Sequence, residues 1–129
     1  MIDCTGVEWN RSSAAKHLGG SVRRVMLSQP ASTDVDGTII WGLNDSTLTP
    51  DMSVISAGSC TSNALMPVLS VIDTAFGIRA GIVTTIHSAM NDQPVIDAYH
   101  HTDLRKTRAA FNSVIPVETG LAQGVERFF

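Results

Sequence analysis

The stretch SAGSCTSNALMPVL, Ser56 to Leu69, sets one cysteine, Cys60, among small hydroxyl residues just where a hydrophobic helix begins. The thiolate is the nucleophilic form of cysteine, and a helix N-terminus favours it through its backbone N–H groups and the positive end of the helix dipole. The same donors can hold the oxyanion that forms when a thiolate attacks a carbonyl. Cysteine is also among the most buried residue types, so packing is the competing reading of Cys60. A nucleophile needs a base. His87, near the end of the β-branched run Gly77–Ser88, is the candidate, against the plainer reading of a structural histidine at a strand end. Ser59, Thr61 and Ser62 read either as helix caps or as ligands of an anion. The turn Glu118–Gly120, ahead of another helix-like stretch, carries the same two readings.

Other polar groups are less specific. Arg105, Lys106 and Arg108 form a small basic group without interleaved aromatics, which suits a solvated or subunit-facing loop better than a nucleic-acid site. His100 and His101 are adjacent and diverge on regular structure, so no metal site is expected. No G-x-G-x-x-G phosphate loop occurs in the chain. Two cysteines, Cys4 and Cys60, do not make a disulfide framework at this length, and reduced thiols are expected.

The elements that must position these residues come from 129 residues, the size of one domain. Charged residues make up 16 % of the chain, below the usual value of about 25 %, so part of the surface is expected to be buried against other subunits or further chain. A net charge of −3 gives no global attraction to nucleic acid or anionic membrane. No basic leader region opens the chain, and no apolar run approaches the roughly 18 residues of a membrane span. A soluble, cytoplasmic protein is the expectation.

Along the chain, MIDCTGV reads as a strand and RSSAAKHLGG as a short helix capped at Ser12 and Ser13 and stopped at Gly19-Gly20. Arg23–Ser28, Thr38–Asn44 and Met52–Ser56 read as further strands. Leu65, Val68, Leu69, Ile72 and Phe76 recur at helical spacing, which predicts a helix from about Cys60 to Phe76 with Gly77 as its stop. Pro67 requires that start, since proline is tolerated best near a helix beginning. Gly77–Ser88 reads as a long strand, and Met90–Ser113 as a polar loop with one helical candidate in QPVIDAY. The terminal VIPVETGLAQGVERFF reads as a strand-like piece and an incipient helix.

Taken together, SCTSN (Ser59–Asn63), GIVTTIHSAMND (Gly81–Asp92), DLRKTRAA (Asp103–Ala110) and IPVETG (Ile115–Gly120) resemble the glyceraldehyde-3-phosphate dehydrogenase family. DCTGV and VMLSQPAS extend the resemblance over essentially the whole chain, and HSAMNDQPVIDAYH is most similar to its erythrose-4-phosphate branch. The resemblance implies an α/β fold: the end of a Rossmann-type parallel nucleotide-binding sheet in residues 1–76, including the nucleophile helix, then the start of an α+β catalytic domain in residues 77–129. It also implies an internal piece of a longer chain, one not expected by itself to bind NAD or turn over.

The activity implied is NAD-dependent oxidation of a sugar-phosphate aldehyde, erythrose 4-phosphate to 4-phosphoerythronate, a step toward pyridoxal phosphate. Cys60 is then the nucleophile, passing through a thiohemiacetal to a thioester, and His87 is the base. Ser59, Thr61, Thr119 and Gly120 match positions that bind the attacking or substrate phosphate, and Thr5 and Gly6 match a turn near the dinucleotide. Residues 90–110 match a loop at the subunit interface of a tetramer. Met90 stands where glycolytic members carry a phosphate-contacting threonine, which favours the erythrose branch; Ser62 and Ala64 replace a usual threonine and a frequent second cysteine. The alternatives are a phosphorylating glyceraldehyde-3-phosphate dehydrogenase, a non-catalytic self-association module built on exposed strand edges, or a redox cysteine.

Overall fold

Short aliphatic runs need neighbours to complete their backbone hydrogen bonds, and four of them do so in one parallel sheet. The computed structural model describes residues 1–90, 93–100, 102–111, 113–126 and 128. The strands are β1 (Ile2–Asp3), β2 (Val25–Leu27), β3 (Gly37–Thr38) and β4 (Val54–Ser56), in the order β1-β2-β4-β3. Val25 stands opposite Val54, and Leu27 opposite Ser56. All pairs are parallel, so every strand ends on the same edge of the sheet. Val54, Ile55 and Ser56 are all buried, as expected of a central strand covered on both faces.

Val25, Leu27 and Val54 meet Ala14 in the core, with Ala15, Leu18, Val22, Ala31 and Val35 packed around them. Ala14 comes from α1 (Arg11–Ala14), which tightens into a 3₁₀ turn over Ala15–His17. The cap of α1 is Asn10, not Ser12 or Ser13: its Oδ1 accepts from the Ser13 N–H at 2.9 Å. Both serine hydroxyls instead donate back to Asn10, at 2.9 and 3.1 Å, which stiffens the cap. Arg11 then ties α1 to the sheet, donating to the Asp36 carboxylate and to Ser53 Oγ. The other Asp36 oxygen accepts from the N–H groups of Ser53 and Val54 at 2.7 and 2.9 Å.

The longest element is α2 (Cys60–Phe76). Ser59 caps its start, and at its end the Gly77 N–H donates to the Asp73 carbonyl at 2.8 Å with Gly77 at φ 73°. Pro67 lies beyond the first turn, and the helix continues past it at the cost of one backbone bond to the Asn63 carbonyl. Ser62 and Met66, one turn apart, are its buried residues. The expected apolar stripe is largely uncovered, with Val68, Ile72 and Phe76 exposed. A short α3 (Leu121–Glu126) approaches α2 closely at Gly124, where an added Cβ would lie 3.3 Å from Ser62 Oγ and 3.8 Å from Met66 Cε.

Several expectations are corrected. Of the segment 38–44 only Thr38 pairs as a strand, together with Gly37. Asn44 ends it locally, since its side chain accepts from the Ile40 N–H and donates to the Thr38 carbonyl, both within 2.8 Å. Residues 77–90 form no strand, and 113–120 form none either. A β-branched run becomes a strand only when another strand accepts its ladder, and among the described residues none pairs with these; Ile82 and Ile86 stand exposed. Residues 93–99 of QPVIDAY bend without forming a helix, and the helical turn in this region is instead a 3₁₀ turn at Leu104–Thr107, capped by Asp103. Expectations touching Asn91, Asp92, His101, Asn112, Arg127 and Phe129 lie outside the described residues.

The chain divides into two compact units, Met1–Gly81 with Gln123–Phe129, and Ile82–Ala122. Both tryptophans belong to the first and are exposed, Trp9 at 58 % and Trp41 at 82 %. Within the second, Ala110 N–H donates to the Pro94 carbonyl, Ala98 N–H to the Thr107 carbonyl and Ala109 N–H to Asp97 Oδ1. These bonds fold the loop back on itself without a sheet.

Candidate active site

The parallel sheet delivers its strand ends to one edge, the edge at which open α/β sheets seat their ligands. Cys4–Gly6 leave β1 there, Ser28-Gln29 leave β2, and Ala57–Cys60 leave β4. With β2 between them, the turns after β1 and β4 depart about 10 Å apart at the ordinary strand spacing.

The turn from β4 into α2 is tightly specified. The Ala57 N–H continues the ladder to the Leu27 carbonyl at 2.8 Å. Gly58 turns the chain at φ 72°, and a Cβ at this residue would lie 2.8 Å from Ile40 Cδ1. Ser56 Oγ, on a fully buried residue, donates to the Gln29 carbonyl at 2.6 Å and accepts from the Gly58 N–H at 3.0 Å. Ser59 Oγ then caps α2, accepting from the Ser62 N–H at 2.9 Å while bonded to Ser62 Oγ at 2.8 Å and lying 3.0 Å from Thr61 Oγ1. Cys60 is the first residue of the helix and is exposed. A thiol so placed lies where a helix collects its N–H groups, within reach of an incoming electrophile.

The turn after β1 is held by Asp3, whose Oδ1 accepts from the Thr5 N–H at 2.8 Å and the Thr5 hydroxyl at 2.7 Å. Those bonds from Thr5, with the nearby His17 ring as a smaller contribution, hold the buried Asp3 carboxyl below its ordinary range. Thr5 therefore spends its hydroxyl on the turn, and Gly6, at φ 77°, offers bare backbone beside Gln29. Gln29 links the two turns: its Nε2 donates to the Glu8 carbonyl at 2.7 Å, and its own carbonyl receives Ser56 Oγ. Sequence reading missed Gln29, Ser56 and Asn63, because polar residues that brace backbone carry no spacing signal.

His87, Thr119 and Gly120 belong to the Ile82–Ala122 unit, whereas Ser59, Cys60, Thr61, Thr5 and Gly6 belong to the other. His87 is exposed, on backbone without regular structure. Its Nδ1 lies 2.7 Å from the Ser88 carbonyl, which can only accept, so in this contact Nδ1 carries a proton. A neutral imidazole protonated at Nδ1 acts as a base through Nε2. Thr119 Oγ1 accepts from the Leu121 N–H at 3.3 Å, so this hydroxyl starts α3. Arg105 pairs with Asp103 at 3.0 Å and reaches Glu118 at 3.6 Å, and Arg108 pairs with Asp97 at 3.2 Å. Both arginines of the basic group are thus engaged with carboxylates of their own unit.

Among the described residues no helix is long and apolar enough to cross a membrane. The family model described as glyceraldehyde 3-phosphate dehydrogenase, C-terminal domain, matches residues 59–129, from the cap of α2 through the last residue and more than half of the chain. With an α/β parallel sheet and a capped cysteine helix at the start of that match, the chain belongs to the glyceraldehyde-3-phosphate dehydrogenase family, a family of NAD-dependent oxidoreductases.

Proposed function

We propose that Cys60 is the nucleophile of an NAD-dependent dehydrogenase that oxidises erythrose 4-phosphate to 4-phosphoerythronate, with His87 as its base. The observation that carries this reading is the placement of an exposed Cys60 as the first residue of a capped 17-residue helix, at the ligand-bearing edge of a parallel sheet. The thiolate adds to the aldehyde carbon, and the N–H groups at the helix start stabilise the oxyanion of the resulting thiohemiacetal. His87 Nε2 takes the thiol proton of Cys60 as the thiolate forms, returns it to that oxyanion to give the hydroxyl, and takes it back as the carbon is oxidised to the thioester. NAD, the cofactor of the family, supplies the chemistry of hydride acceptance when bound, and the open backbone of Gly6 beside Thr5 is the part of this chain assigned to its neighbourhood. Water then releases the acid from Cys60.

Ser59, Thr61, Thr119 and Gly120 are assigned to the phosphate groups. Residues 1–76 are assigned to the nucleotide-binding domain and 77–129 to the start of the catalytic domain, in a cytoplasmic tetramer with residues 90–110 at a subunit interface. The erythrose branch is favoured by Met90, an exposed thioether whose N–H donates to Gln93 Oε1, where a hydroxyl would suit a phosphate. The test is kcat/KM of the intact protein for erythrose 4-phosphate against glyceraldehyde 3-phosphate with inorganic phosphate. Preference for the first is expected, with turnover abolished in Cys60→Ser and lowered by about 10²–10⁴ in His87→Asn. Preference for the second assigns the chain to the phosphorylating branch, and full activity in Cys60→Ser refutes the nucleophile.

A further inference from the structure

The geometry points to Asn63 as a positioning residue for the nucleophile, a role that rests on the reading of Cys60 given above. The Asn63 carboxamide donates twice, from Nδ2 to the Ala57 carbonyl and to the Ser59 carbonyl, each at 2.8 Å. These two carbonyls flank Gly58 in the turn that presents Cys60. A trans peptide holds its C=O and N–H on opposite sides of one plane, so fixing the oxygen fixes the direction of the hydrogen. Across the Ala57–Gly58 peptide, Asn63 holds the oxygen and Ser56 Oγ receives the N–H at 3.0 Å, clamping that plane at both ends. Across the Ser59–Cys60 peptide, the oxygen is held by the Asn63 side chain and by the Asn63 N–H at 3.0 Å. The Cys60 N–H is thereby aimed out of the helix mouth, where negative charge develops on sulfur or on an attacked carbonyl oxygen.

Without the carboxamide the Ala57 carbonyl loses that donor, and the Ser59 carbonyl keeps the Asn63 N–H alone. The Ala57 oxygen, the negative end of its dipole, can then turn toward the thiolate, and the Cys60 N–H is aimed less firmly. Asn63 is exposed and sits on the helix surface, so its removal leaves the core intact. The role is therefore electrostatic positioning and not support of the fold.

The test uses Asn63→Ala and Asn63→Asp in a Cys4→Ser background, so that Cys60 is the one thiol, with iodoacetamide as the probe over a range of pH. Asn63→Ala is expected to slow alkylation about five- to tenfold near neutral pH while leaving the limiting alkaline rate unchanged, the signature of a lost thiolate fraction. Asn63→Asp, nearly isosteric but carrying a carboxylate against two carbonyl oxygens, is expected to slow it further. Amide exchange at Gly58 is expected to accelerate in both variants, with the helical circular dichroism preserved. An activated parent profile that Asn63→Ala leaves unmoved overturns the positioning role alone, as does a variant slowed equally at every pH. A parent profile like that of an ordinary peptide thiol overturns the nucleophile reading and this role with it.

Discussion

Gly58 carries the sharpest energetic consequence of the turn before Cys60. Replacing it by alanine sets a Cβ 2.8 Å from Ile40 Cδ1, 3.5 Å from Asn63 Nδ2 and 3.6 Å from Thr38 Cγ2, on backbone at φ 72°. The left-handed backbone costs a residue with a Cβ about 1–2 kcal/mol, and forced overlap in a packed interior adds about 1–3 kcal/mol. Ile40 is buried to 1 % exposure, but Cδ1 is the far tip of its side chain and can turn a little, which places the total for Gly58→Ala at about 2–4 kcal/mol. In urea this moves the midpoint down by roughly 1–3 M, read by far-ultraviolet circular dichroism. Gly42→Ala is the control: its φ is 80° but nothing lies within 4 Å of the added Cβ, so it carries a positive-φ cost without the overlap. Ile40→Val removes Cδ1, and in the Gly58→Ala background it should recover about 1–2 kcal/mol relative to its own cost. Equal losses for Gly58→Ala and Gly42→Ala, with an additive double-mutant cycle, would refute the argument.

Three further outcomes follow from the same geometry. Ser59→Ala removes the hydroxyl that accepts from the Ser62 N–H and should cost about 1 kcal/mol in the urea midpoint, as N-cap losses do. Met66→Ala empties a fully buried site and should cost about 2–5 kcal/mol, whereas Val71→Ala, on the exposed face of α2, should stay within about 0.5 kcal/mol. Burial opposes the charged form of Asp36, but the N–H groups of Val54 and Ser53, the Ser53 hydroxyl and Arg11 outweigh it and hold the carboxyl below its ordinary 3.8. A depressed carboxyl contributes stability that is complete above its unfolded value and is lost as pH falls through the folded one, so acid titration of the urea midpoint should fall less steeply below about pH 4 in Asp36→Asn than in the parent.

What the sequence disclosed follows the range of the interactions involved. α2 was legible to within a residue or so because its signals are local: Ser59 ahead of the helical spacing, and Gly77 after Phe76. β2 and β4 were legible because a central strand in a parallel sheet must be apolar throughout. The run Gly77–Ser88 has equally strong β-branched composition, yet composition cannot supply the partner strand that makes a ladder, and no described strand pairs with it. Segment 38–44 failed for a local reason, since one amide side chain, that of Asn44, outcompeted the ladder. At the candidate site, Cys60, Ser59 and His87 were named because their chemistry is intrinsic to their side chains. Asn63 and Gln29 were not, because their importance lies in which main-chain oxygens they meet.

The exposure of Trp41 and Trp9 gives the molecule an unusual optical character. Both indoles already face water in the folded state, so their emission changes little when the chain unfolds, and intrinsic fluorescence is a poor reporter of the stability differences set out above.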